Sequence, residues 1–272
     1  MTRLKEDDVV KIATTLEAYN TELVKMTGCT LREIAVKAVG KDFSADNARK
    51  TNVAVIPMTC GQGIIEGFVE SVASIIGYLG FNAVITKSKD AGGVAEAVQS
   101  GSEILFMADD DRFVAVNVKT GKVSDNGEAT GKGYVAGLAQ MCDGLEGKKV
   151  LVIGAGPVGT GAAFALMRFG VEVSIVDINL SASQRLAGEL IKQGYAAKIE
   201  TDLDDALGRH SLLVDACPTG AIIMKRHIKE NTRIAAPGIP LGVQAEGVAQ
   251  LSNRLLHDPL QIGVATMLFD VL

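Results

Sequence analysis

Apolar residues at Val9, Ile12, Ala13, Leu16, Leu23 and Val24 recur at helical spacing, which predicts an amphipathic helix over residues 6–26, ended by Thr27-Gly28. A second short helix is predicted over 31–39, and the polar stretch 41–50 reads as a loop. The pattern then changes to short apolar runs alternating with helical ones. Strands are predicted at 52–57, 81–86 and 103–107, with helices at 64–79 and 91–99 between them. Strand–helix–strand–helix–strand implies a small parallel sheet with right-handed crossovers. Two further runs, 113–118 and 122–124, flank Thr120-Gly121 and read as a hairpin. A helix over 130–142 leads into the second half.

There the apolar run 149–153 ends in Gly154-Ala155-Gly156-Pro157-Val158-Gly159, a G-x-G-x-x-G. A helical segment (160–169) and a second strand (171–176) follow, closing on Asp177. This is the dinucleotide-binding fingerprint in its full strand–turn–helix–strand–acid context. Gly154 permits the tight turn, Gly156 lets the backbone approach a pyrophosphate, and Gly159 lets the helix lie close to the sheet. The helix N-terminus, where Ala155 to Val158 sit, offers N–H groups and partial positive charge to phosphates. Asp177 can accept hydrogen bonds from both adenosine ribose hydroxyls, and no Arg or Lys follows it at once to compensate a 2′-phosphate, so the expected cofactor is NAD. The alternation continues with helices at 181–193 and 203–209 and strands at 197–200, 211–216 and 233–236. The loops Cys217-Pro218-Thr219-Gly220 and Pro237-Gly238-Ile239-Pro240 fall at strand carboxyl ends, where open α/β sheets bind ligands. An apolar last helix, 260–271, is expected to return to the first domain.

The expected fold is therefore α/β, a Rossmann-fold NAD domain (130–257) preceded by a smaller α/β substrate domain (1–129), with a C-terminal helix (258–272) packing back on the first. The 272 residues are 47 % hydrophobic and 22 % charged with a net charge of −5, an ordinary globular composition that argues against non-specific nucleic-acid or anionic-membrane binding. No apolar run reaches the length of a membrane span and the N-terminus has no apolar signal core, so a cytoplasmic location is expected. The four cysteines form no C-x-x-C pair and the three histidines are scattered, so no metal is expected.

Outside the fingerprint, two loops sit at strand carboxyl ends in the first half. The N–H groups of Gly61-Gln62-Gly63, at a helix start, could hold a substrate carboxylate or simply form a turn and cap. Asp109, the first residue past its strand, could hold a substrate ammonium through a charge-assisted hydrogen bond or belong with Asp110 and Asp111 to a solvated acidic turn. Cys60 has no visible His partner and reads as a small buried hydrophobe rather than a nucleophile. His227, among Lys225, Arg226 and Lys229, reads as part of a solvated basic face.

Several stretches are more specific. Gly61-Gln62-Gly63-Ile64-Ile65, Gly77-Tyr78-Leu79-Gly80-Phe81, Ile104-Leu105-Phe106-Met107-Ala108-Asp109-Asp110 and Asn117-Val118-Lys119-Thr120-Gly121-Lys122, with Pro237-Gly238-Ile239-Pro240 and the terminal 259–268, together resemble the pyrrolysine synthase family along nearly the whole chain. The resemblance implies NAD-dependent oxidation of the ornithine side-chain amine of L-lysine-Nε-3R-methyl-D-ornithine, then ring closure to the pyrroline of pyrrolysine. It implies a homodimer and a lid formed by Leu4 and its helix. Asp109 would be the catalytic and substrate-anchoring acid, Asn126 a polar residue of the same pocket, and Cys60, Gly61 and Gly63 backbone contributors. Cys60 stands where the family commonly has a serine. The rivals are another amino-acid or shikimate-type dehydrogenase, and an NAD-sensing module without turnover.

Overall fold

The computed structural model describes residues 4–41, 48 and 50–272, so most of the polar stretch 41–50 lies outside the described residues. The N-terminal helix is interrupted at Val10-Lys11, giving α1 (Glu6–Val9) and α2 (Ile12–Thr27) rather than one helix over 6–26. Val9, Ile12, Leu16 and Leu23 are buried, whereas Ala13 and Val24 face solvent. Gly28, left-handed at φ 71°, ends α2. In α3 (Leu31–Val39), Thr30 and Glu33 form a reciprocal capping box.

The first sheet contains β1 (Asn52–Ile56), β2 (Asn82–Ile85), β3 (Ile104–Ala108), β4 (Phe113–Asn117) and β5 (Val123–Asp125), in the order β2-β1-β3-β4-β5. The first three strands are parallel, as expected; the hairpin adds two antiparallel strands to the same sheet. Helices α4 (Phe68–Tyr78) and α5 (Asp90–Gln99) make the crossovers. Side chains alternate as a strand buried on both faces requires: Val53 and Val55 enter the main core, Ala54 and Ile56 a smaller one with Ala97 and Leu105.

After α6 (Asn126–Met141) comes the second sheet: β6 (Lys149–Ile153), β7 (Glu172–Val176), β8 (Ala197–Ile199), β9 (Leu212–Asp215), β10 (Arg233–Ala235) and β11 (Leu255–Leu256). Its order is β11-β10-β9-β6-β7-β8, all parallel, the doubly wound arrangement of dinucleotide-binding domains. Helices α7 (Pro157–Met167), α8 (Leu180–Lys192), α9 (Leu203–Arg209) and α10 (Ala245–Leu251) cover it. Both α10 and β11 escape the hydrophobic pattern, being short. The last helix, α11 (Gln261–Val271), packs on α3, α4, β4 and β5 of the first half, and on α6.

Four glycines lie on α6 (Gly127, Gly131, Gly133, Gly137), each costing about 1 kcal/mol of helix propensity relative to alanine. The reason is contact on three sides. A Cβ at Gly131 would collide with the backbone of α7 at Ala162 and Val158, and one at Gly133 with Ile262 and Thr266 of α11. From the other side, a Cβ at Gly161 of α7 would fall 2.7 Å from Glu128 Cα. Backbone cannot swing aside as a side chain can. Gly131→Ala is therefore expected to destabilise the fold by about 1–3 kcal/mol or more, read as a lowered midpoint in chemical denaturation; an unchanged midpoint would show that the helix pair relaxes freely.

Candidate active site

The fingerprint turn behaves as its glycines require. Gly154 has φ +95°, and the space a Cβ would take there lies 3.1 Å from the Ala216 carbonyl. A Cβ at Gly159 would overlap the Gly154 carbonyl oxygen, which fixes the close approach of α7 to β6. Gly156, by contrast, faces open space, as a position that must admit a phosphate should. Pro157 occupies the first turn of α7, where its missing N–H is no loss. Asp177, just past β7, reaches this turn: its Oδ2 accepts from Ala155 N at 2.7 Å and its Oδ1 from Asn179 N at 2.8 Å.

A cavity of about 220 Å³ lies where the carboxyl ends of β1 and β3 meet those of β9 and β10. Of the residues singled out in the sequence, Leu4, Gly63, Asp109, Asn126, Val158, Pro218 and Pro237 line it. Cys60, Gly61, Gly154, Ala155, Gly156, Pro157, Gly159, Asp177 and Cys217 do not, although several adjoin residues that do. Phe68, Phe106, Phe113, Ile65 and Leu260 supply an apolar wall.

Three expectations about this region need correction. Helix α4 begins at Phe68, not 64, so the Gly61–Gly63 turn is not a helix N-terminus. Its amides are used within the protein: Gln62 N donates to Asp110 Oδ2 at 2.7 Å and Gly63 N to Cys60 O at 3.2 Å. The turn is held at its other end by Asp90, whose carboxylate accepts from Thr59 N and Oγ1. Cys60 is exposed rather than buried, because it sits on this turn. His227 is buried, not part of a solvated face; its Nε2 lies 2.7 Å from Asp204 Oδ1, and Arg226 pairs with the same carboxylate.

Asp109 is exposed at the end of β3, and its Oδ1 accepts from Asp111 N at 2.8 Å and Arg112 N at 2.7 Å. Among the described residues these turn bonds leave Oδ2 without a hydrogen bond. Asn126 opens α6, with Nδ2 3.5 Å from Met267 Sδ. Sequence reasoning did not find Asp258 or Tyr134, both cavity residues. Asp258 is only 5 % exposed. Its Oδ1 accepts from Leu260 N (3.0 Å) and Ile262 N (3.3 Å), and its Oδ2 from the Tyr19 hydroxyl of α2 (2.8 Å). Tyr134 on α6 donates to the Asp258 carbonyl and accepts from its amide, both at 2.7 Å. Burial raises the Asp258 carboxyl above its usual range, against the hydrogen bonds that favour its ionised form. The one sequence cue was a carboxylate three residues before an apolar helix.

At the end of β9, Asp215 is fully buried, with Cys217 Sγ 3.3 Å from Oδ1. Burial lifts its carboxyl to about 6, and burial together with that carboxylate pushes the Cys217 thiol up to about 12. The loop after β10 rests on the same residue, Gly238 N donating to Asp215 O at 2.9 Å. Among the described residues no helix is long and apolar enough to cross a membrane, and no group of His, Cys, Asp or Glu converges as a metal site.

Comparison with known proteins gives a family and a matching fold. Residues 8–124 match the family described as pyrrolysine biosynthesis protein PylD, N-terminal domain, and residues 121–230 match alanine dehydrogenase/PNT, C-terminal domain. Over all 272 residues the chain is 31 % identical to the pyrrolysine synthase of Methanosarcina acetivorans, with all of both chains covered. It is 33 % identical to that of Methanosarcina barkeri, covering 98 % of that protein. Quinate dehydrogenase from Corynebacterium glutamicum in complex with NAD superposes with a TM-score of 0.57 at 15 % identity, over 81 % of this chain and 93 % of that one, a likeness of fold. Fold and fingerprint thus define an oxidoreductase of the Rossmann type that takes a nicotinamide dinucleotide. The chain belongs to the pyrrolysine synthase family, and its place is in pyrrolysine biosynthesis.

The thiol environments give a direct check. Alkylation with iodoacetamide at pH 8, followed by mass spectrometry, is expected to label exposed Cys60 at least about tenfold faster than Cys217, whose thiolate is suppressed. Equal rates would contradict the burial of Cys217 against Asp215.

Proposed function

We propose that the protein oxidises the side-chain amine of the ornithine unit in L-lysine-Nε-3R-methyl-D-ornithine, with NAD⁺ as acceptor, and brings the product to ring closure as pyrrolysine. The carrying observation is the charge of the cavity. Asp109 and Asp258 line it, Asp110 beside them is engaged by Gln62, and no Lys, Arg or His lines it among the described residues. Such a wall attracts a substrate rich in ammonium groups and repels a carboxylic acid that brings no amine. This speaks for an amine substrate and against a shikimate-type acid, whose carboxylate needs a cation.

The turn at Gly154, Gly156 and Gly159 with the N-terminus of α7 would hold the pyrophosphate, and Asp177 the adenosine ribose. Cys217, Pro218 and Pro237 would flank the nicotinamide end. The bound nicotinamide supplies the hydride acceptor. Asp109, held by its own turn, uses its remaining oxygen to bind the reacting ammonium and take its proton. The neutral amine then has the lone pair needed to form C=N as hydride leaves the adjacent carbon. The ornithine α-amine attacks that carbon, or the aldehyde derived from it. Loss of ammonia or water closes the pyrroline. Leu4, with α1 and α2, forms the lid, and the aromatic wall limits access of water to the imine. Gly63 and Asn126 line the same pocket beside the substrate, and Cys60 and Gly61 serve through the backbone of the turn. The working form is a homodimer.

Incubation of the protein with NAD⁺ and the methylornithyl-lysine amide should raise absorbance at the NADH band and yield the pyrroline by mass spectrometry; neither signal appearing would overturn the reading. Asp109→Ala should lower turnover by about 10²–10⁴-fold with NADH binding retained. Asp177→Ala should weaken NAD⁺ and improve relative use of NADP⁺, measured as the ratio of kcat/KM values; an unchanged ratio would mean the ribose is held elsewhere.

A further inference from the structure

The cavity contains a carboxylate that the reaction above does not use. Asp109 stands exposed at one end, whereas Asp258 is buried and belongs to the segment between β11 and α11. An N-cap for α11 would need only the bonds from Leu260 N and Ile262 N to Oδ1. It would not need the second oxygen, a tyrosine from α2 brought to it across the chain, or another tyrosine fastening its main chain from α6. Among the described residues three donors lie within hydrogen-bond distance of the carboxylate, with the Tyr134 hydroxyl beside it, and that is more than the cap of one helix requires.

Resting on the amine-substrate reading, we propose that Asp258 is the inner of two ammonium anchors. The reacting side-chain amine binds Asp109, and a second ammonium of the same molecule binds Asp258 at the buried end. Tyr19 orients the Asp258 carboxylate and ties that anchor to the N-terminal helix. The ligand class is then a compound with two cationic amines, and a monoamine of equal length fills only half of the site. Asp258 acts on specificity in the bound complex; the α-ammonium it holds gives up its proton and leaves the anchor before it attacks the oxidised carbon in ring closure. The titratable groups around it are Tyr19 of α2, Tyr134 of α6 and the neighbouring His257, whose Nδ1 donates to Ala236 O at 2.7 Å.

The test uses the whole protein saturated with NADH and two probes in calorimetry: D-ornithine, and 5-aminopentanoate, which keeps the side-chain amine and lacks the α-amine. The wild type should bind D-ornithine about tenfold more tightly than 5-aminopentanoate or better, since a charge-assisted bond to a desolvated carboxylate is at stake. Asp258→Asn should erase that preference with NADH affinity unchanged, whereas Asp109→Asn should weaken both probes alike. A wild-type preference kept in Asp258→Asn overturns the proposal. Should Asp258→Asn fail to fold, Tyr19→Phe decides the matter. Only ionised Asp258 binds an ammonium, so D-ornithine affinity falls as pH drops through its pKa. Removing a donor that favours ionisation must move that fall to higher pH. An unmoved midpoint overturns the proposal, because a purely structural tyrosine would leave it in place. If turnover of the methylornithyl-lysine amide fails while the two-amine preference holds, the assigned reaction falls and the anchor stands.

Discussion

The close approach of α6 to its two neighbours is the constraint on which the molecule depends. Glycines on α6, on α7 and at position 263 on α11 remove the side chains that would hold the three helices apart. Helix α7 carries the nucleotide turn at its start, and α11 follows directly from Asp258. Whatever sets the distance between these helices also sets the distance between the cofactor turn and the buried end of the cavity. A helix rich in glycine is a poor helix in isolation. Here tertiary contact decides, and in return the two halves of the chain are fixed to each other by backbone rather than by long side chains.

Much of this was legible in the sequence, for identifiable reasons. In the second half, short runs such as Val150 to Ile153 are apolar without interruption because both faces of the sheet are covered, so strands and helices alternate cleanly. The fingerprint could be read residue by residue because each glycine answers a steric demand that the structure shows. The first half was less clear. The break in the N-terminal helix at Val10-Lys11 lies within a sequence that keeps helical periodicity on both sides of it. The late start of α4 was hidden because Ile64 and Ile65 are apolar yet lie in irregular backbone before the helix; Ile65 packs on the core while Ile64 is 41 % exposed at the cavity.

The site divides along the same line. Asp109 could be found because it follows its strand at once. Asp258 could not, because its meaning comes from Tyr19 and Tyr134, 239 and 124 residues away in the chain. Local patterns carry local geometry, and a buried carboxylate is defined by what surrounds it. The absence of a basic group among the described lining residues is likewise a property of the assembled cavity. Lysines are frequent in the first half, but they sit on turns and polar faces, where they pair with acids such as Glu103 or cap the ends of other helices.

The return of α11 has a consequence for how the protein is made. This helix covers α3, α4 and the β4–β5 hairpin, elements completed some 130 to 230 residues earlier. Until residue 271 has been synthesised, those elements carry an uncovered apolar face, while the nucleotide-binding half can complete its own sheet behind them. Contacts of such sequence separation slow folding and lengthen the time for which an apolar surface stays exposed. The cavity is tied to the same event, because Leu260 and Gly263, which line it, belong to the α11 segment.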